Sequence, residues 1–161
     1  MPTKYSYRPL PSGTQTIRLL QLQPAASDAD PLRASLVDAF IGHPAQPAYE
    51  AISYVWGDPV FPETLHLDAS HGGSEAHAIT VNLAQCLVSL RSPYTTRVLW
   101  ADAVCINQED LEEKGSQISL MGSIYQTATR VLIRLGEPPP GESPLLPDPG
   151  LFRQLQSGTA D

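Results

Sequence analysis

Lysine is scarce in this chain of 161 residues: Lys4 and Lys114 are the two it has, and neither sits in a basic run. The formal net charge is -7 and the pI about 4.9. An acidic chain of this kind gains no counterion release from phosphates, which argues against nucleic acid and anionic membranes as partners. Cysteine is equally sparse. Cys86 and Cys105 do not make a disulfide framework, and both fall in apolar elements, where buried free thiols are expected. No run of about 18 apolar residues occurs, so no membrane segment is expected. The opening Met-Pro-Thr-Lys-Tyr lacks an apolar signal region, and a reducing, cytoplasmic setting is the expectation. Neither GxxxxGK[ST] nor GxGxxG is present, which removes the ordinary phosphate-loop and dinucleotide motifs. His43, His66, His71 and His77 have no regular ligand spacing, so no metal site is expected.

What is present is a globular composition, 42% hydrophobic and 17% charged, in a chain long enough for one domain with a real core. Residues 1–16 are rich in Pro, Ser, Thr and Gly and read as a loosely ordered lead-in. Ile17 to Leu22 reads as a strand at a sheet edge, and Leu32 to Phe40 as a strand or a short helix, which periodicity leaves open. Tyr49 to Trp56 is expected as a strand that Gly57-Asp58-Pro59 ends sharply. Thr64–Asp68 and Ala78–Val81 read as an inserted hairpin around Gly72-Gly73.

Asn82, with Gln85 three residues on, has the spacing of a capping box, and Leu83, Leu87 and Leu90 form one apolar stripe behind it. Val98 to Ile106 is nearly all apolar, as for a strand covered on both faces. Asn107 is expected to cap the next helix. On that helix Leu111, Ile118, Met121, Tyr125 and Ala128 share one face, and Gly115 and Gly122 suggest close packing or a bend. Val131 to Leu135 is the last strand. Residues 138–161 form a Pro-rich tail, expected to be disordered or an incomplete piece of something longer.

Strand, hairpin, helix, strand, helix, strand is a βαβαβ unit. It predicts a small three-layer α/β fold with a mostly parallel sheet. Ligands in such sheets bind beyond the carboxyl ends of the strands. Trp56, Gly57 and Asp58 gather at one such end, Cys105, Asn107 and Gln108 at the second, and Glu137 at the third. Asp102 stands apart, a carboxylate inside an apolar run. It must be paired, hydrogen-bonded or neutral, and its role is either structural or direct in binding or catalysis. Trp56 and Trp100 read first as core or sheet-face residues, with a stacking platform for a nucleobase as the sharper alternative. Asn107 fits a helix cap or an anion site. Cys105 lacks an evident histidine partner and is a poor nucleophile candidate. Glu50 and the Glu112-Glu113-Lys114 cluster read as solvent-facing.

Three runs, Tyr49 to Gly57, Leu99 to Gln108 and Gln117 to Tyr125, together resemble the defining blocks of the heterokaryon-incompatibility (HET) domain of filamentous fungi. Tyr7 to Pro11 with Ile17 to Leu20 resembles the usual lead-in, and Arg130 to Gly136 the closing strand. The resemblance covers roughly residues 5–137, so the HET-like domain is placed at 17–137. It implies an effector of programmed cell death after non-self recognition, acting through self-association or a protein partner. The family has also been likened to Toll/interleukin-receptor (TIR) domains, so the resemblance implies a TIR-like or flavodoxin-like fold by analogy and an alternative NAD- or nucleotide-cleaving activity. No cofactor other than NAD enters on either reading. The glutamate of TIR-type cleavage has only Glu137 and Glu142 as nearby candidates, beside Pro138 to Pro140. That departure leaves a third reading, a truncated and inactive fragment.

Overall fold

Ile17, Leu19, Leu20 and Leu22 are almost wholly shielded from solvent, and so is the Arg18 between them. A strand buried on both faces belongs inside a sheet, and that is where the computed structural model places it. The structure describes residues 4–69 and 72–135, with the backbone alone of 153–155. Strand β1 (Thr16–Leu22) lies between β2 (Leu32–Phe40) and β6 (Arg97–Trp100), antiparallel to both. The expected edge position is therefore corrected, and Leu32–Phe40 resolves as a strand.

The remaining strands are β3 (Glu50–Tyr54), β4 (Glu63–Asp68), β5 (Ser74–Ile79), β7 (Arg130–Arg134) and β8 (Arg153–Leu155). One sheet holds them all in the order β5-β4-β2-β1-β6-β3-β7-β8. The expected βαβαβ unit is present as β6-β3-β7, parallel throughout, with Glu50 opposite both Leu99 and Arg130. The sheet as a whole is mixed rather than mostly parallel, because the β1–β2, β1–β6, β4–β5 and β7–β8 pairings are antiparallel. The hairpin β4–β5 is no mere insertion either: β4 pairs in parallel with β2 and extends the sheet.

The helices begin where oxygen acceptors meet unpaired backbone N–H groups. Helix α1 (Val81–Leu90) is capped by Thr80, whose hydroxyl accepts from Leu83 N, and not by Asn82. Its buried stripe is Leu83, Leu87 and Leu90, as the spacing predicts, with Ala84 and Cys86 beside it. The expected strand Val98–Ile106 ends at Trp100, and α2 (Asp102–Cys105) follows as a single helical turn. Cys105 N donates to Ala101 O at 2.8 Å and Asp102 Oδ1 accepts from Ala103 N at 2.8 Å. An apolar run suits a buried helical turn as well as a strand, so the pattern alone did not separate them.

Helix α3 (Leu111–Thr127) is capped by Asp110, which accepts from Glu112 N and Glu113 N. Asn107 instead closes a local turn onto Glu109 N. The face of α3 also departs from expectation. Leu111 is 81% and Ile118 53% exposed, while Gln117 and Ile124 are buried. Tyr125 packs its ring edge-on against Trp100, with centroids 5.7 Å apart. No neighbour lies within 4 Å of a Cβ built at Gly115 or Gly122, so these glycines do not mark close packing.

Candidate functional site

Beyond the carboxyl ends of β3 and β6 the chain places two motif residues against each other. Trp56 Nε1 donates to both oxygens of Asp102, at 3.2 Å each. Ala103 N supplies a further donor to the same carboxylate, and Gln108 Nε2 donates to the Asp102 carbonyl at 2.9 Å. Burial pushes the Asp102 carboxyl above its ordinary range, and these hydrogen bonds only partly offset it. Asp102 is thus neither in a strand nor salt-bridged. It heads a helical turn and holds an indole.

Gly57 sets the turn that delivers Trp56. Its φ is +77°, and a Cβ there would stand 2.7 Å from Asn82 Nδ2. Asn82 uses that amide to donate to Val55 O at 2.9 Å, so the start of α1 pins the turn after β3. The positive φ requires glycine, and an added Cβ would also have to displace the Asn82 amide.

Below the turn lies a buried ion pair. Arg18 donates to both oxygens of Glu113, at 2.5 and 3.0 Å, with 3% and 9% of the two side chains exposed. The same guanidinium donates to Cys105 O and Arg8 O, and lies 4.9 Å from the centre of the Tyr7 ring. Glu113 also accepts from Asn107 N at 2.8 Å. Glu113 is therefore no part of a solvated helix face. Glu50 is likewise paired, accepting from Arg97 Nε at 2.6 Å, rather than turned to solvent.

Trp56, Asn107 and Gln108 line one side of a groove of about 520 Å³. The other walls come from Phe61, from Ala76 to Thr80, and from Lys4, Tyr5 and Tyr7. The lead-in reaches the groove through specific contacts: Tyr5 N donates to Ala76 O, Tyr7 Oη donates to Val104 O at 2.7 Å, and Lys4 pairs with Glu109. His77 stands edge-on to the rings of Tyr5 and Tyr7, and burial holds its imidazole below the ordinary range. Tyr5, Tyr7, Phe61 and His77 were not singled out from sequence as site residues. No spacing links them to the strand-end motifs, and a hairpin assignment is the only local signal for His77.

Of the residues singled out from sequence, Trp56, Gly57, Asp102, Asn107 and Gln108 come together. Asp102 does not itself line the groove; its contacts Trp56, Ala103 and Gln108 do. Asp58 is exposed. Cys105 is buried as a free thiol with its pKa pushed up to about 12, which leaves it unreactive near neutral pH. Trp100 is fully buried and belongs to the core. Glu137 lies outside the described residues. Among the described residues no group of His, Cys, Asp and Glu side chains has the arrangement of a metal site, and no helix is long and apolar enough to cross a membrane.

Comparison with known proteins adds a family to this geometry. A family model described as "Heterokaryon incompatibility protein (HET)" matches residues 49–155. The chain is 38% identical over 130 residues to "Heterokaryon incompatibility protein 6, OR allele" of Neurospora crassa. That match covers 74% of this chain and 18% of the relative, so the chain spans only a small part of that protein's length. No solved structure matches the chain.

Proposed function

The chain belongs to the heterokaryon incompatibility family, and on that premise we propose that it is an effector domain of fungal incompatibility, promoting cell death after non-self recognition by docking a protein partner or a second copy. The observation that carries the reading is the aromatic groove beside Trp56. Its walls come from distant parts of the chain, and its tryptophan is oriented by a half-buried carboxylate. A concave apolar surface with a few fixed polar groups is the ordinary form of a recognition site. Asp102 acts here as a positioning residue: its carboxylate is engaged by Trp56 and Ala103. A nucleotide-cleaving role would need that carboxylate free and facing the groove, which lends the NAD reading less support.

The test is induced expression of the chain in a filamentous fungus beside Trp56→Ala and Asp102→Ala variants of matched abundance. Death with the native chain and survival with folded variants is the expected result. Survival with abundant, folded native chain sinks the proposal for this domain acting alone. Loss of cellular NAD in step with death, abolished by Asp102→Ala, would replace docking by catalysis.

A further inference from the structure

Arg134 ends β7 directly beside Tyr54, the end of β3, in parallel register. Residues paired this way project from the same face of a sheet. Both side chains approach α1. Arg134 Nη2 donates to Gln85 Oε1 at 3.3 Å, and the Cys86 thiol lies within electrostatic reach of both residues. Yet among the described residues Tyr54 Oη and Arg134 Nη1 have no hydrogen-bond partner, and each is shielded from solvent.

Nearby acids do not satisfy them. Glu50 is committed to Arg97 and Arg130. Asp102 is committed to Trp56 and Ala103. Among the described residues no carboxylate pairs with Arg134. Two donors on paired strand-end residues, one of them cationic, are left without an acceptor among the described residues, at the edge of the sheet where ligands of such folds bind.

We propose that Tyr54 and Arg134 form an oxyanion subsite between the ends of β3 and β7 and helix α1, taking a carboxylate or a phosphate oxygen. The guanidinium supplies charge and a fork of N–H groups that match both anions, and the phenol supplies a second direction of approach. Burial holds the Tyr54 hydroxyl well above its ordinary pKa, so it stays a donor at any neutral pH. The subsite lies apart from the aromatic groove, and its test does not depend on cell death.

The experiment titrates the full chain with inorganic phosphate and separately with acetate, at ionic strength fixed with sodium chloride, and follows amide NMR shifts. Saturable shifts at residues 54, 85, 86 and 134 are expected. Arg134→Gln should weaken binding about tenfold or more, the scale of a lost charge-assisted hydrogen bond. Tyr54→Phe should weaken it several-fold while leaving the anion-free protein at least as stable, because it deletes a buried hydroxyl that has no partner. Saturation by phosphate alone assigns the subsite to a phosphoryl group; saturation by both extends it to acidic peptides. Absence of saturable shifts with either anion overturns the proposal. So does binding that survives Tyr54→Phe and a folded Arg134→Gln unchanged, which would mark an adventitious ion only.

Discussion

The Trp56 indole N–H bisects the two oxygens of the Asp102 carboxylate, 3.2 Å from each. The pairing joins the end of β3 to the turn after β6 across the gap where the groove opens. The half-buried carboxylate is hydrogen-bonded by neutral donors and makes no salt bridge among the described residues.

That environment sets a pH dependence. The Asp102 carboxyl has a folded-state pKa raised above its unfolded value, so it contributes stability at low pH. The contribution is fully present below the unfolded pKa and is lost as pH rises through the folded one. Asp102→Asn keeps the shape and removes the titration. Thermal unfolding from about pH 3.5 to 7, bracketing the ordinary aspartate pKa, should show the native chain losing stability relative to Asp102→Asn as pH rises. Parallel curves would refute this account.

Arg18 and Glu113 predict a different pattern. Removing one partner of a buried pair leaves an uncompensated charge, at a cost of about 3–5 kcal/mol. Arg18→Met and Glu113→Met should each lower urea-unfolding stability on that scale. The double variant Arg18→Met/Glu113→Met should recover a large part of the loss. Additive losses would mean that the contacts to Cys105 O and Arg8 O, not the pair, carry the effect.

Gly57→Ala should destabilise by about 1–2 kcal/mol from backbone conformation alone, and further from the approach of Asn82. Gly42 is the control: its φ is +77°, with nothing within 4 Å of an added Cβ. A larger loss at Gly57 than at Gly42 in the same denaturation assay isolates the steric part. Equal losses would show that the Asn82 amide swings aside freely.

Gly115→Ala and Gly122→Ala should raise stability by about 0.5–1 kcal/mol each, because both glycines sit inside α3 with open space beside them. A rise in melting temperature on each substitution is the readout. A fall would restore the close-packing reading of this helix.

The residues announced some of this fold and concealed the rest. β-Branched and aromatic content with a sharp Gly57-Asp58-Pro59 stop announced β3, the run Val131 to Leu135 announced β7, and the order of elements placed β6-β3-β7 in parallel. Thr80 and Asn82 are both competent caps two residues apart, and sequence favoured the wrong one. The run from Val98 to Ile106 is apolar whether it continues as a strand or turns helical at Asp102, so Asp102 appeared stranded in a core. The partners of Arg18 were beyond local pattern: Glu113 lies 95 residues away. Asp102 stands out separately, as a carboxylate inside an apolar run, whereas the strand-end rule brought together Trp56, Asn107 and Gln108, because it depends on topology. It could not supply Tyr5, Tyr7 or His77, which reach the groove through tertiary folding alone.

The place of β1 and β2 has a consequence for any excision of this domain. The family match begins at residue 49, after both strands. In the sheet they stand between β4 and β6. A chain cut at residue 49 would hold two separate ribbons, β5-β4 and β6-β3-β7-β8, with raw hydrogen-bonding edges facing a missing middle and no lead-in to wall the groove. The stretch that closes as one sheet is therefore longer than the stretch by which the family is detected.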